Sequence, residues 1–168
     1  MFKKVSFVIP ALNAQDTIEQ LVLSISEKQL NLDAEIIVVD HNSIDDTKAI
    51  ALDLGCIVLS KKGGNVSAVR NVGAECASGD LLVFLDADVA LTESWYSNIN
   101  DALTLLCQEP NTIVGSHCSS PEGGSWIERI WFDQYVGELD ATSLGSCHMI
   151  MSKEFFGQLG GFNEALIT

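Results

Sequence analysis

The sequence predicts an α/β fold with three layers, α/β/α, in which helices cover both faces of a mainly parallel central sheet. Three observations lead there. Short apolar runs of strand length alternate with segments of helical period along most of the 168 residues. Capping and turn residues such as Asn65, Gly55, Ser78-Gly79 and Thr92 fall between them. The run Leu81-Leu-Val-Phe-Leu85 is long enough for a strand buried in such a sheet, and it ends abruptly in Asp86-Ala-Asp88.

Each element has its own warrant. Val5-Ser-Phe-Val-Ile9 is a strand before Pro10, and Asn13 is placed to cap a helix whose Ile18, Leu21, Val22 and Ile25 follow the i, i+3, i+4, i+7 stripe. Glu35-Ile-Ile-Val-Val39 is a second strand. Ser43-Ile-Asp-Asp46 resembles a capping box opening a helix through Ile50 and Leu54, with Gly55 as its stop. Cys56-Ile-Val-Leu-Ser60 gives a third strand, Lys61-Lys-Gly-Gly64 a loop, and Asn65 to Ala77 a small-residue helix. After the fourth strand, Thr92 caps a helix whose Trp95, Ile99, Ala102, Leu103 and Leu106 share a face, and Thr112 to Gly115 adds another strand. From Ser116 the pattern loosens into a second subregion: a loop over Ser119-Ser-Pro-Glu-Gly-Gly124, an aromatic-rich helix from Trp126 to Tyr135, and a strand from Ser146 to Ser152. No internal repeat or low-complexity linker divides the chain.

Composition narrows the class. With 47% hydrophobic and 19% charged residues the chain can fill one core. A net charge of -14 argues against a nucleic-acid binder or a protein held on anionic lipid by basic residues. Cys56, Cys76, Cys107, Cys118 and Cys147 form no CxxC pair and no zinc spacing, so they are read as reduced, mostly buried thiols. The N-terminus reaches strand sequence within a few residues, leaving no room for a signal peptide, and no segment is long and apolar enough to span a bilayer. A cytoplasmic protein is the expectation.

Ligands of open parallel sheets bind outside the strands' carboxyl ends. Pro10-Ala-Leu-Asn13, Asp40-His-Asn-Ser43, Lys61-Lys62 and Asp86-Ala-Asp88 all follow successive strands and so gather on one rim. Side chains at i and i+2 of a strand project from one face, about 6–7 Å apart. Two carboxylates closing a hydrophobic strand need a compensating partner, which a hard divalent cation supplies. Gly63-Gly64 does not complete GxGxxG, and nothing matches the P-loop.

The chain resembles the nucleotide-sugar-binding part of the family 2 glycosyltransferases, which have the GT-A fold with its Rossmann-like sheet. The resemblance rests on five segments in order: Val8-Ile-Pro-Ala-Leu-Asn13; Ile37-Val-Val-Asp-His-Asn-Ser-Ile-Asp-Asp-Thr47; Gly64 with Val69-Arg-Asn-Val-Gly73; Phe84-Leu-Asp-Ala-Asp88, a DXD motif; and Leu159-Gly-Gly-Phe-Asn-Glu164. It implies a single catalytic domain over residues 1–168, with a nucleotide-binding part over about 1–115 and the start of an acceptor-binding part over about 116–168. By this resemblance Pro10, Ala11, Leu12, Asn13 and Asp40 hold the nucleobase, most often uracil, and Arg70 lies near the nucleotide. Asp86 contacts ribose or metal-bound water and is a second candidate metal ligand, while Asp88 binds Mn²⁺ or Mg²⁺ bridging the phosphates.

The implied reaction is metal-assisted sugar transfer from a nucleoside diphosphate sugar, UDP-sugar first, to an acceptor hydroxyl with inversion. The acceptor class is a glycan, a lipid-linked substrate or a small molecule, and the inner membrane face is a further expected location through sequence not present here. A cation would also screen phosphates from the acidic chain. The family's usual Asp-Asp-Gly-Ser is here Asp40-His-Asn-Ser43; Asn42 tolerates a left-handed backbone where the family has glycine. Relatives continue past the Gly-Gly-Phe-Asn-Glu segment to an acidic motif carrying the general base, so the base is expected beyond Thr168 and the chain is read as truncated before it.

Plainer readings stand beside these. Asp86 and Asp88 could be a solvated strand end, Asp40 the cap of its own turn, Arg70 the partner of a surface acid, and Lys61 and Lys62 a solvated loop. Asp45 and Asp46 suit a helix dipole. His117 and His148 lack ligand spacing and read as ordinary hydrogen-bonded histidines, and Trp126, Trp131, Phe132 and Tyr135 read as core. Two other functions remain open: a sugar nucleotidyltransferase, whose Gly-rich basic loop is missing after the first strand, and a nucleotide-binding module without turnover.

Overall fold

The computed structural model describes residues 2–26, 32–116, 118–119 and 144–166. Its elements in chain order are β1 (Lys4–Ala11), α1 (Ile18–Ser26), β2 (Asp33–Asp40), α2 (Thr47–Asp53), β3 (Ile57–Ser60), α3 (Val66–Cys76), β4 (Leu81–Leu85), α4 (Glu93–Gln108), β5 (Val114–Gly115), β6 (His148–Ser152) and α5 (Lys153–Leu159). The strands form one sheet in the order β3-β2-β1-β4-β6-β5. The first four strands are mutually parallel, and β6 runs antiparallel to both β4 and β5.

The pleat of β1 sorts the layers. Val5, Phe7 and Ile9 face a core shared with Ile18, Leu21, Val22 and Ile25 of α1, Ala51 of α2, and Ile99 and Leu106 of α4. Val8 faces the opposite way, onto Val69 and Ala74 of α3, with Phe84, Met149 and Met151 completing that side. The α/β/α expectation is therefore met. The helix read at Trp126 to Tyr135 and His117 lie outside the described residues.

Local expectations failed where loops bind each other instead of their own helices. Asn13 does not cap α1, which starts only at Ile18 after a turn closed by Ala14 C=O. Ser43 accepts from Asn13 N–H at 2.9 Å rather than from its own helix, and Asp45 Oδ1 takes Thr47 N–H at 3.1 Å. The strand expected from Thr112 shortens to Val114–Gly115. Asn65 does cap α3, accepting from Ala68 N–H at 3.1 Å.

Two contacts fix the helices on the sheet. Gly73 lets α3 approach closely: a Cβ there would sit 2.4 Å from Val8 Cγ1 and 3.0 Å from Val39 Cγ2. His148, buried on β6, accepts from Trp95 Nε1–H of α4 at 2.9 Å through Nε2, and its Nδ1 lies 2.8 Å from Ser116 Oγ. Burial pulls this imidazole down to about 4. It is the ordinary hydrogen-bonded histidine that the sequence indicated. At the sheet's other end, burial pushes the Glu35 carboxyl up, but Lys4, Ser6 and Ser78 outweigh it and hold the carboxyl at about 2.

Gly73→Ala should cost about 2 kcal/mol in urea unfolding, because overpacking against β-branched neighbours exceeds the helix-propensity gain of about 1 kcal/mol; a more stable variant would contradict the close approach. The unfolded chain takes up a proton at His148 near 6.5 and the folded protein only near 4, so falling pH favours unfolding across that window. Between about pH 7 and pH 5 the wild type should lose about 2 kcal/mol more than His148→Gln, and parallel pH slopes in chemical denaturation would refute a neutral buried imidazole.

Candidate functional site

The carboxyl ends of β1, β2, β3 and β4 line one rim, as sheet parallelism requires. The loops after β1 and β2 clasp each other along it. His41 N–H donates to Ala11 C=O at 2.8 Å, Ile44 N–H to Asn13 Oδ1 at 3.0 Å, and Ala14 N–H to Thr47 Oγ1 at 2.7 Å. Asn13 and Asn42 have φ of 50° and 64°, the left-handed region, which asparagine enters more readily than most residues. Asn42 thus takes the backbone role read for it from the sequence.

Asp40 closes β2 and is 5% exposed. Its Oδ1 accepts from Ser43 N–H at 3.1 Å and its carbonyl from Lys61 N–H at 2.9 Å. The capping role is real, and among the described residues the second carboxylate oxygen has no hydrogen-bond partner. Pro10 and Ala11 lie within β1, while Leu12 and Asn13 are exposed on the loop that follows it. Lys61 is half-buried and Lys62 exposed.

Arg70 comes from α3 and is itself only 5% exposed. One terminal nitrogen donates to Asp86 Oδ1 at 2.5 Å and to Ser146 C=O at 3.1 Å, while the guanidinium carbon lies 5.5 Å from the Phe162 ring centroid. Among the described residues Nε has no partner. The Asp86 carboxyl is pushed up by burial, an effect that Arg70 opposes and the neighbouring Asp88 charge reinforces. Asp88 itself is exposed. The structure therefore joins Arg70 to Asp86 directly, sets Asp88 beside them, and places Asp40 on the strand beyond β1.

Sequence reasoning missed three groups here. Asn71 of α3 donates to Phe162 C=O at 3.0 Å and to Glu164 Oε1 at 2.8 Å, and Asn65 Nδ2 donates to Glu164 C=O at 3.0 Å, so α3 holds the Gly-Gly-Phe-Asn-Glu segment. The asparagines were visible, but their partners lie some ninety residues away. Cys118 and Cys147 hydrogen-bond to each other beside Asp86; the interaction lowers the Cys147 thiol to about 7 and raises that of Cys118. The thiols are not mostly buried as expected: Cys56 is, whereas Cys76 and Cys107 are exposed on helices and Cys118 and Cys147 are half-buried.

The fold is shared by solved glycosyltransferases. A mannosyltransferase from Pyrobaculum calidifontis, solved with GDP-Man and Mn²⁺, matches with a TM-score of 0.74 at 19% identity, over 96% of this chain and 48% of its own. Glucosyl-3-phosphoglycerate synthase from Mycobacterium tuberculosis, solved with Mn²⁺, UDP and glucosyl-3-phosphoglycerate, matches with a TM-score of 0.65 at 26% identity, over 90% and 57%. The architecture is that of the GT-A glycosyltransferases. The profile of glycosyl transferase family 2 matches residues 6–156, and the chain belongs to that family. In sequence, the mycobacterial synthase is 36% identical over 97 residues, which make up 52% of this chain and 29% of that enzyme. The chain spans about half or less of the length of these relatives.

Removing Arg70 strands a carboxylate that burial already disfavours. Arg70→Met should lower stability by about 2 kcal/mol, discounted for the partial exposure of Asp86, and adding Asp86→Asn should return part of the loss. Additive losses in thermal or urea unfolding would dissolve the pairing argument.

Proposed function

We propose that this chain forms the donor-binding part of an inverting glycosyltransferase that moves a sugar from a UDP-sugar to an acceptor hydroxyl. The observation that carries the reading is the rim itself, where Asp40 closes β2, Asp86 and Asp88 follow β4 on the other side of β1, and Arg70 is committed to Asp86. Family membership and the UDP complex of the mycobacterial synthase support it. The acceptor is a glycan, a lipid-linked substrate or a small molecule. Among the described residues no helix is long and apolar enough to cross a membrane.

In this reading Pro10 to Asn13 and Asp40 form the nucleobase end, with the free Asp40 oxygen accepting an N–H of uracil. Arg70 acts through Asp86, keeping that carboxylate ionised and turned so that one oxygen remains outside the pair. Asp88, and Asp86 with that second oxygen, would hold Mn²⁺ or Mg²⁺, since carboxylate oxygens suit hard divalent ions. When bound, the cation supplies charge stabilisation at the departing diphosphate. Among the described residues no group of three His, Cys, Asp or Glu side chains forms a metal site alone. No general base is assigned among the described residues, where Glu164 has Oε1 engaged by Asn71.

Calorimetric titration with UDP, with and without Mn²⁺, tests the proposal. The wild type should bind UDP more tightly with Mn²⁺, and Asp88→Ala should lose that increment, a factor of about ten or more. Absence of UDP binding under both conditions would overturn it.

A further inference from the structure

We propose that Glu164 is a donor-sugar contact, a carboxylate that Asn71 positions at the rim to accept a hydroxyl of the hexose carried by the nucleoside diphosphate. The inference rests on the donor-binding reading above and names the group that would recognise the sugar itself. α3 fixes where this acid stands. Beyond the helix end, Ser78 meets Lys4 and Glu35 at the starts of β1 and β2, whereas Gly73 lies against Val8 and Val39, further along the same strands. The helix therefore begins, at Asn65, over the strands' carboxyl ends. Asn65 Nδ2 donates there to Glu164 C=O at 3.0 Å and to Leu166 C=O at 2.7 Å, which holds Glu164 at the rim. Its carboxylate is gripped by Asn71, the residue next to the arginine that pairs with Asp86.

The turn around Glu164 is built more firmly than an exposed acid needs. Gly160 and Gly161 have φ of 78° and 79°, and a Cβ on Gly161 would sit 2.9 Å from Asn71 Oδ1, so glycine lets the chain come down onto this side chain. Asn71 then uses its whole amide. Oδ1 accepts from Phe162 N–H at 2.9 Å, and Nδ2 donates to Phe162 C=O at 3.0 Å and to Glu164 Oε1 at 2.8 Å. On the other side Asn163 Oδ1 accepts from Ala165 N–H at 3.0 Å. Glu164 is exposed, and among the described residues no cation pairs with it and its Oε2 has no hydrogen-bond partner. A carboxylate with one oxygen held by an amide and the other open to solvent is an acceptor of set direction, and sugar hydroxyls are donors. In the donor reading Asp40 marks the base end and Asp86 with Asp88 the diphosphate end. The hexose extends from the diphosphate, beside which Arg70, Asn71 and Glu164 follow one another.

Calorimetry in Mn²⁺ compares UDP with UDP-glucose, UDP-galactose and UDP-N-acetylglucosamine on the wild type, Glu164→Gln, Asn71→Ala and the double variant, with thermal unfolding checking that each is folded. Glu164→Gln keeps the side chain's length and an oxygen for Asn71 but replaces the second acceptor oxygen with a donor. The readout is the affinity for the best-bound UDP-hexose divided by the affinity for UDP. This ratio should fall about tenfold in Glu164→Gln, the size of one hydrogen bond to a charged group, while UDP alone changes by less than about twofold. Asn71→Ala should lower the ratio in the wild type and add nothing in the Glu164→Gln background, because it acts through that acid. Should Asn71→Ala fail to fold, the Glu164→Gln comparison alone decides. The proposal is overturned if the ratio is the same in wild type and Glu164→Gln, or if that variant weakens UDP and UDP-hexose alike. A wild type that binds no UDP would instead strike the donor-binding reading, and this contact with it.

Discussion

Arg70 and Asp86 form the contact on which the rim depends. A guanidinium taken from water in the middle of α3 is costly unless paired, and the nearest acid is the first residue beyond the strand that α3 leads into. One side chain thereby ties a helix on one face of the sheet to the end of β4 and, through Ser146 C=O, to the approach to β6. Phe162 extends the same assembly, because its ring lies near the guanidinium and packs edge-on to Phe84 with centroids 4.9 Å apart. Pairing and burial act on Asp86 in opposite directions, which makes the carboxylate's state a property of the packing around it.

The clasp between the first two βα loops is the second constraint. Asn13 and Asn42 adopt left-handed backbone, and the side chain of Asn13 accepts from Ile44 N–H while its own N–H reaches Ser43. These bonds satisfy loop groups that helix caps would otherwise serve. Asp40 stays at the base of the clasp with one oxygen committed to Ser43. An acid held in this way is oriented before any ligand arrives, and preorganisation of that kind lowers the ordering cost of binding.

Most of the fold was legible because local period and burial agree. The stripe Ile18, Leu21, Val22 and Ile25 is the face that α1 buries, and Leu81 to Leu85 is the buried β4. Asn13 and Ser43 were misread for a physical reason: both have the chemistry of helix caps, yet contacts across some thirty residues of chain offered each a better partner. In the site, the acids at the strand ends could be read from order alone. That Arg70 is spent on Asp86 could not.

This last point bears on the acidity of the chain. With a net charge of -14, a protein that binds a diphosphate must offset repulsion at the site itself. Arg70 is expected near the nucleotide, but its charge is balanced by Asp86 and its body is buried. Lys61 and Lys62 remain near the rim, as flexible ammonium groups that match phosphate as point charges only. The proposed cation on Asp88 then carries more than a Lewis-acid role, because it brings positive charge to where the fold has committed its best-placed guanidinium to structure. In the proposed reading Arg70 orders the Asp86 carboxylate, and a cation held by the carboxylates would bring the charge that Arg70, paired with Asp86, does not offer to phosphates.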